Sequence, residues 1–340
     1  MNSKQPQTEL SNEMLLAIEN DLRAALEVVI DKDYPAFQKM IEYHLGWHSE
    51  STEVKGKRVR PLLTLLICAV LGGKWQSALP AATAIELIHN FSLIHDDIED
   101  RSELRRGQET VWKKWGTPRA INLGDALFVV GRLSSHRLSD RGIDLDTTLS
   151  VVETLDQACL QLTIGQDLDL IFETRDQVSE EEYLAMIDGK TAALIAAATA
   201  VGAIVAGADA VTVRAVENIG ESLGLAFQIQ DDILGIWGLP NKTGKSASDD
   251  LQTRKKTLPI IYGLERSDEF VELWQLPTSD EDTLEAMRSA LQRAQVLEDA
   301  RALAEKYTQM AEESLQALEP DGPYASELSS LLRKLLRRQH

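Results

Sequence analysis

Apolar residues in this chain recur at three- and four-residue steps almost from end to end, while two-residue alternation is nearly missing. Leu15, Ile18, Leu22, Leu26 and Ile30 form one such series, and Ala84, Leu87, Ile88, Phe91, Ile94 and Ile98 form another. A further apolar run extends from Leu223 to Leu234. No Val/Ile/Thr-rich alternating run and no Asn-Gly turn marks a hairpin. This pattern leaves an all-α helical bundle as the expected fold class. Glycine and proline punctuate it at Gly72-Gly73, Gly116-Thr117-Pro118, Gly238-Leu239-Pro240 and Pro320 to Pro323. The expected organisation is a flexible N-terminus over 1–14 and one domain over 15–340. At 44% apolar residues, the 340-residue chain has material for a large core.

A net charge of -19 argues against a nucleic-acid partner, which needs a basic surface. Anionic small molecules remain possible ligands if the basic residues converge. The polar stretch from Met1 to Asn12 has no apolar core, so no signal peptide is expected. Thr191 to Ala208 is uncharged before Asp209, but it is rich in alanine and lacks aromatic anchors. It reads as a closely packed bundle helix and not as a transmembrane segment. Cys68 and Cys159 lie in apolar stretches and read as buried thiols of a reducing, cytoplasmic compartment. The polar segment Gly238 to Lys256 reads as a mobile loop.

Chemistry gathers at a few places. Asp96, Asp97 and Asp100 end the helix that begins near Pro80. At i and i+4, Asp96 and Asp100 stack on one face, against both like-charge repulsion and the helix dipole. Such broken local rules mark functional sites, and clustered carboxylates suit Mg²⁺. A solvated acidic helix end is the plainer alternative. Asp231-Asp232 reads as a second acidic helix end. Basic residues stand nearby in sequence: Lys57 and Arg60 before a helix opened by Pro61, then Arg105-Arg106-Gly107. Lys190-Thr191 reads as the start of the alanine-rich helix, and Lys245 and Lys255 lie in or beside the polar loop. Carboxylates with converging arginine and lysine suit diphosphates. No nucleophile elbow, zinc-protease motif or complete P-loop is present.

With those residues in view, the chain resembles the trans-isoprenyl diphosphate synthases, or polyprenyl synthetases, over essentially its whole length. The resemblance rests on Gly56-Lys57-Arg58-Val59-Arg60-Pro61, on Ile88 to Asp100, and on Arg105-Arg106-Gly107. It continues through Asp188-Gly189-Lys190-Thr191, Phe227 to Asp232, and Gly244-Lys245. It implies a single-domain isoprenoid-synthase bundle with a central hydrophobic cavity, usually a homodimer, acting on isopentenyl diphosphate and allylic diphosphates (dimethylallyl, geranyl or farnesyl). Lys57, Arg60, His89 and Arg106 would hold isopentenyl diphosphate. Asp96, Asp100 and Asp231 would bind Mg²⁺, three ions per active site, with Asp97 and Asp232 completing those motifs. Arg105, Lys190, Lys245 and Lys255 would grip the allylic diphosphate. Thr191 and Gln228 would lie against the developing cation, with Gln166 and Asp169 as helix partners.

One departure stands out. The family's second acidic motif ends in aspartate, whereas here Asp231-Asp232-Ile233-Leu234 is followed by Gly235; activity is still expected, with weaker or altered metal dependence left open. Phe91 and Ser92, one turn below Asp96, occupy the positions that set chain length in the family. A single aromatic beside a small residue resembles geranylgeranyl (C20) synthases, with farnesyl or longer products open. A terpene cyclase would have no use for Lys57, Arg60 and Arg106. A non-catalytic regulatory subunit is the rival from another class, with Gly235 as its support.

Overall fold

A computed structural model describes residues 9–27, 34–49, 56–238, 249–276 and 280–336. Its helices follow the apolar periodicity. In α1 (Glu9–Leu26), Met14, Ile18, Leu22, Ala25 and Leu26 are buried along one stripe. This helix includes residues 9–14 of the expected flexible stretch, with Met14 in its apolar stripe, and residues 1–8 lie outside the described residues. α2 (Pro35–His44) and α3 (Val59–Val70) follow, with Pro61 in the first turn of α3, where its missing N–H costs nothing. α4 (Leu79–Glu99) is buried on nearly all sides from Leu79 to Ile88, as befits a helix at the centre of its unit.

The chain divides into two compact units. The first contains residues 1–159, 197–217 and 319–330. In it α4 packs lengthwise on α6 (Thr117–His136) and against α3, after a two-stranded hairpin and the short α5 (Val111–Trp115). α7 (Leu145–Thr174) begins here, and α9 (Ala193–Ala206) ends here. The crossing of α3 with α9 is close: Thr64 Oγ1 donates to the Ala198 carbonyl at 2.8 Å. Cys68 and Cys159 are buried thiols, and burial pushes them up to about 12 and about 11. The α16 helix (Pro323–Leu336) lies mostly in this unit.

The second unit contains residues 160–196, 218–318 and 331–340. Its core includes Phe172, Tyr183, Ile229, Ile233, Leu258, Phe270 and Leu291. α8 (Glu180–Ile187) starts with a capping box between Ser179 and Glu182. One π-helical turn, Asp188–Ala192, then joins α8 to α9. The helix is therefore continuous from Glu180 to Ala206, and Lys190-Thr191 does not open a helix as the sequence suggested. That stretch is long and apolar enough to cross a membrane, but 78% of its most apolar window is buried inside the fold.

α10 (Ala210–Trp237) also differs from expectation, running past Asp231-Asp232 because Ile233 and Ile236 continue its buried stripe. α11 (Asp249–Thr253), α12 (Leu258–Arg266), α13 (Asp268–Trp274), α14 (Glu281–Arg293) and α15 (Val296–Ala317) complete the unit. Residues 249–256, expected within a mobile loop, are anchored: Leu251 is fully buried, and Arg254 donates to the carbonyls of Trp274 and Leu276.

Glycine is required where helices meet backbone to backbone. A Cβ on Gly224 would overlap Ala192, and one on Gly165 would overlap the Gly189-Lys190 peptide. Gly224→Ala is expected to cost about 1–3 kcal/mol by overpacking, measured as a lowered urea midpoint with unchanged slope.

Candidate active site

In the first unit the basic and acidic motifs sit on three neighbouring pieces of chain. Arg58, the N-cap of α3, is left-handed at φ 48° and turns inward between Lys57 and Arg60. Its guanidinium is buried and donates to Glu19 at 2.6 Å, Glu86 at 2.9 Å and the Leu45 carbonyl at 3.3 Å. The tie fixes the start of α3, leaving Lys57 exposed on the preceding loop and Arg60 half-buried in the first turn. Arg60 Nη1 lies 3.3 Å from His89 Nε2. Burial first, then Arg60, Arg106, Arg105 and His44, hold the His89 imidazole well below its ordinary pKa. It is neutral at physiological pH and accepts from Arg60.

The second piece is the hairpin of β1 (Leu104–Arg105) and β2 (Gln108–Glu109). Its two-residue turn is Arg106-Gly107, at φ 55° and 74°, the left-handed pair of a type I′ turn. Arg105 spans the acidic motif at the end of α4, donating from Nε to Asp97 Oδ1 at 2.7 Å and from Nη2 to Asp96 Oδ2 at 3.0 Å. Asp97 is buried, and burial, opposed by Arg105, pushes its carboxyl up to about 6. Asp96 and Asp100 remain half-buried beside it, with Asp100 the C-cap of α4. The Arg106 guanidinium packs on Gly56, which at φ 81° has no Cβ to block it; an added Cβ would lie 2.8 Å from Nη1. His44 joins this group, its imidazole pushed down to about 3 by burial and then by Arg106, Arg105 and Arg58.

The second unit carries a separate network. Asp169 on α7 is buried and receives Lys190 Nζ at 2.5 Å and Lys255 Nζ at 2.9 Å. Burial pushes its carboxyl up, but the two lysines more than offset this and hold it below the ordinary range. Thr191 Oγ1 donates to Gln228 Oε1 at 2.8 Å, and Gln228 Nε2 donates to Asp232 Oδ1 at 2.8 Å. Tyr183 donates to Asp232 Oδ2 at 2.6 Å, and the Leu258 N–H donates to the same oxygen at 3.3 Å. Burial pushes Asp232 up to about 6. Asp231 is half-buried, and Gln166 is half-buried on α7.

Of the expected residues, Arg60 thus meets His89, Arg105 meets Asp96 and Asp97, Lys190 and Lys255 meet at Asp169, and Thr191 reaches Asp232 through Gln228, with Lys245 outside the described residues. Residues 44–294 match the family described as Polyprenyl synthetase. The chain belongs to the polyprenyl synthetase family. It is a trans-prenyltransferase. The geranylgeranyl diphosphate synthase of Mycobacterium tuberculosis is 36% identical over 97% of this chain and 95% of its own. A (2E,6E)-farnesyl diphosphate synthase of Mycobacterium bovis is 41% identical over 70% of this chain and 66% of its own. Among solved structures, geranylgeranyl pyrophosphate synthetase from Pyrococcus horikoshii superposes with a TM-score of 0.87 at 31% identity. That match covers 97% of this synthetase and 99% of the other chain.

Polyprenyl synthetases are generally Mg²⁺-dependent, and the donor set here fits that ion. Asp96, Asp100 and Asp231 offer hard carboxylate oxygens. Among the described residues no three acidic, histidine or cysteine side chains already surround one point. An ion at either motif would draw its other oxygens from diphosphate and water, the usual Mg²⁺ arrangement.

The sequence reading missed Arg58, His44 and Tyr183 in this synthetase. Only Arg58 carried a signal, standing inside the Gly56–Pro61 motif. Arg58→Met strands Glu86 in the interior and is expected to cost about 3–5 kcal/mol, measured by chemical denaturation.

Proposed function

We propose that the enzyme condenses isopentenyl diphosphate with allylic diphosphates to make geranylgeranyl diphosphate, C20. One observation carries this reading: the first unit holds a basic group of Arg60, Arg106 and neutral His89 distinct from the Arg105-bridged carboxylates. A chemistry with a single diphosphate has no need of that group. Lys57, Arg60, His89 and Arg106 bind isopentenyl diphosphate. Asp96 and Asp100 in the first unit, and Asp231 in the second, would hold Mg²⁺, three ions in all, and the metal would supply positive charge to neutralise the allylic leaving group. Asp97 and Asp232, buried and hydrogen-bonded, set the pose of their neighbours.

Reaction begins as the allylic C1–O bond breaks, its electron pair going to diphosphate. Arg105, Lys190, Lys245 and Lys255 take up that charge. The alkene of isopentenyl diphosphate then attacks C1, forming the new C–C bond. A proton leaves C2 of the isopentenyl unit to the departed diphosphate, and the new double bond closes. Thr191 and Gln228 turn oxygens toward the cationic carbon, their orientation held through Asp232 and Tyr183.

Phe91 limits the product. Its ring packs edge-on against Phe128 at 5.1 Å and His95 at 5.7 Å, which braces it as a floor. Beside it the small Ser92 bonds back to the His89 carbonyl. Incubation with Mg²⁺, labelled isopentenyl diphosphate and each allylic starter should yield a dominant C20 alcohol after dephosphorylation. Phe91→Ala should lengthen it by one or more isoprene units. A C15 or longer wild-type product sinks the chain-length argument, and no incorporation from folded protein sinks the synthase reading.

The enzyme acts in the cytoplasm as a homodimer. In the first unit Ile121, Val129 and Leu133 stand exposed at four-residue multiples along α6, and in the second Leu160, Ile164 and Ile171 stand exposed at steps of four and seven along α7. Rows of this kind favour burial against another copy. Light scattering should return a dimer mass, and Val129→Glu with Leu160→Glu should return a monomer.

A further inference from the structure

The hairpin that carries Arg105 and Arg106 has strands of two residues each, and a two-stranded hairpin is marginal in water by itself. Its surroundings in the first unit have to hold it. Two consecutive residues at the end of α2 do so. Tyr43 donates its hydroxyl to the Glu109 carbonyl of β2 at 2.9 Å. Its ring is fixed in turn, edge-on to Trp115 at 5.0 Å and stacked on His48 at 5.1 Å. His44, the last residue of α2, faces the same hairpin. With Tyr43, Asp97, Arg105 and Arg106 it lines a cavity of about 30 Å³, room for a bridging water.

No step of the reaction uses His44, yet its ring is oriented with care. Asn90 on α4 donates from Nδ2 to the Glu86 carbonyl at 2.7 Å and to Glu86 Oε1 at 2.9 Å. Both amide hydrogens are then committed, and Asn90 has only Oδ1 to offer His44. It favours a ring that donates to it. A neutral imidazole that donates through one nitrogen accepts through the other. Arg58 anchors Glu86 at 2.9 Å, so the orientation traces back to the core of the unit. Burial first, then Arg106, Arg105 and Arg58, keep the ring uncharged. Of the two hairpin arginines, Arg105 is already spanned between Asp96 and Asp97, while Arg106 rests on Gly56.

We infer that His44 positions Arg106 for isopentenyl diphosphate by presenting its accepting nitrogen across the cavity to the guanidinium. The inference rests on the proposed role of Arg106. His44 is then a positioning residue that does not touch substrate. The relay from Glu86 through Asn90 to the imidazole carries the fixed geometry of α4 to the turn. A neutral acceptor orients the arginine without cancelling its charge, whereas a carboxylate at 44 would compete with the diphosphate for it.

The test is steady-state kinetics of the full-length protein with Mg²⁺, varying isopentenyl diphosphate at saturating farnesyl diphosphate and then the reverse. His44→Phe keeps a planar ring and loses the acceptor. It should raise KM for isopentenyl diphosphate at least about tenfold, the scale of a slightly misplaced binding group, and leave KM for farnesyl diphosphate little changed. His44→Gln supplies a donor and an acceptor again and should stay close to the wild type. Asn90→Ala frees the ring to turn and should raise the same KM alone, which keeps the test open where His44→Phe does not fold. An unchanged KM in these variants, a rise shared equally by both substrates, or a His44→Gln no better than His44→Phe overturns the inference and leaves the synthase reading intact. Wild-type protein that incorporates no isopentenyl diphosphate with any allylic starter overturns both.

Discussion

Much of the second unit depends on one place where backbone touches backbone. Gly165 on α7 and Gly224 on α10 close on opposite parts of the π-turn, against the Gly189-Lys190 peptide and against Ala192. No side chain separates these segments, so their spacing is set by main-chain atoms that cannot change rotamer. The wider turn advances the helix by an extra residue without ending it. Lys190 and Thr191 are thereby presented from the middle of a continuous helix to Asp169 and Gln228. Mid-helix residues gain nothing from a helix dipole. Their usefulness to an anion comes from Lys190 itself and from rigid placement.

An acidic protein that handles anions has to keep its cations aimed. Here that is done with carboxylates: Asp169 for Lys190 and Lys255, Asp96 and Asp97 for Arg105, Glu19 and Glu86 for Arg58. Buried pairs of this kind contribute little net stability once desolvation is counted. Their value is geometric, because long flexible side chains are ordered before any ligand arrives. Neutral His89 and His44 beside the arginines fit the same scheme, adding hydrogen-bonding capacity without adding charge.

The sequence made the fold class plain because helical periodicity is a local signal that survives at every window. The acidic motif of α4 was legible for a similar reason, since i and i+4 spacing defines a face without further information. Other features depended on contacts that spacing cannot report. Asp231-Asp232 looked like a helix end, yet Ile229, Ile233 and Ile236 carry the stripe onward. The hairpin strands are two residues long, too short to alternate, and Arg-Gly fills the turn where Asn-Gly would have announced it. No residue pattern foretold the π-turn. Arg58 could not be told from Arg60 because its left-handed backbone breaks the helical phase between them. Tyr183 becomes meaningful only through Asp232, 49 positions later.

The Arg105-Arg106 hairpin has a consequence of its own. Arg105 ends its strand and addresses the carboxylates of α4, while Arg106 takes the left-handed first position of the turn and rests on Gly56. Two charges are thus sorted by backbone conformation and not by distance along the chain. Gaining or losing a single residue before the turn would take Arg106 out of its left-handed position and turn Arg105 to the opposite face of its strand. Selection on this short hairpin therefore bears on its length as strictly as on its residues.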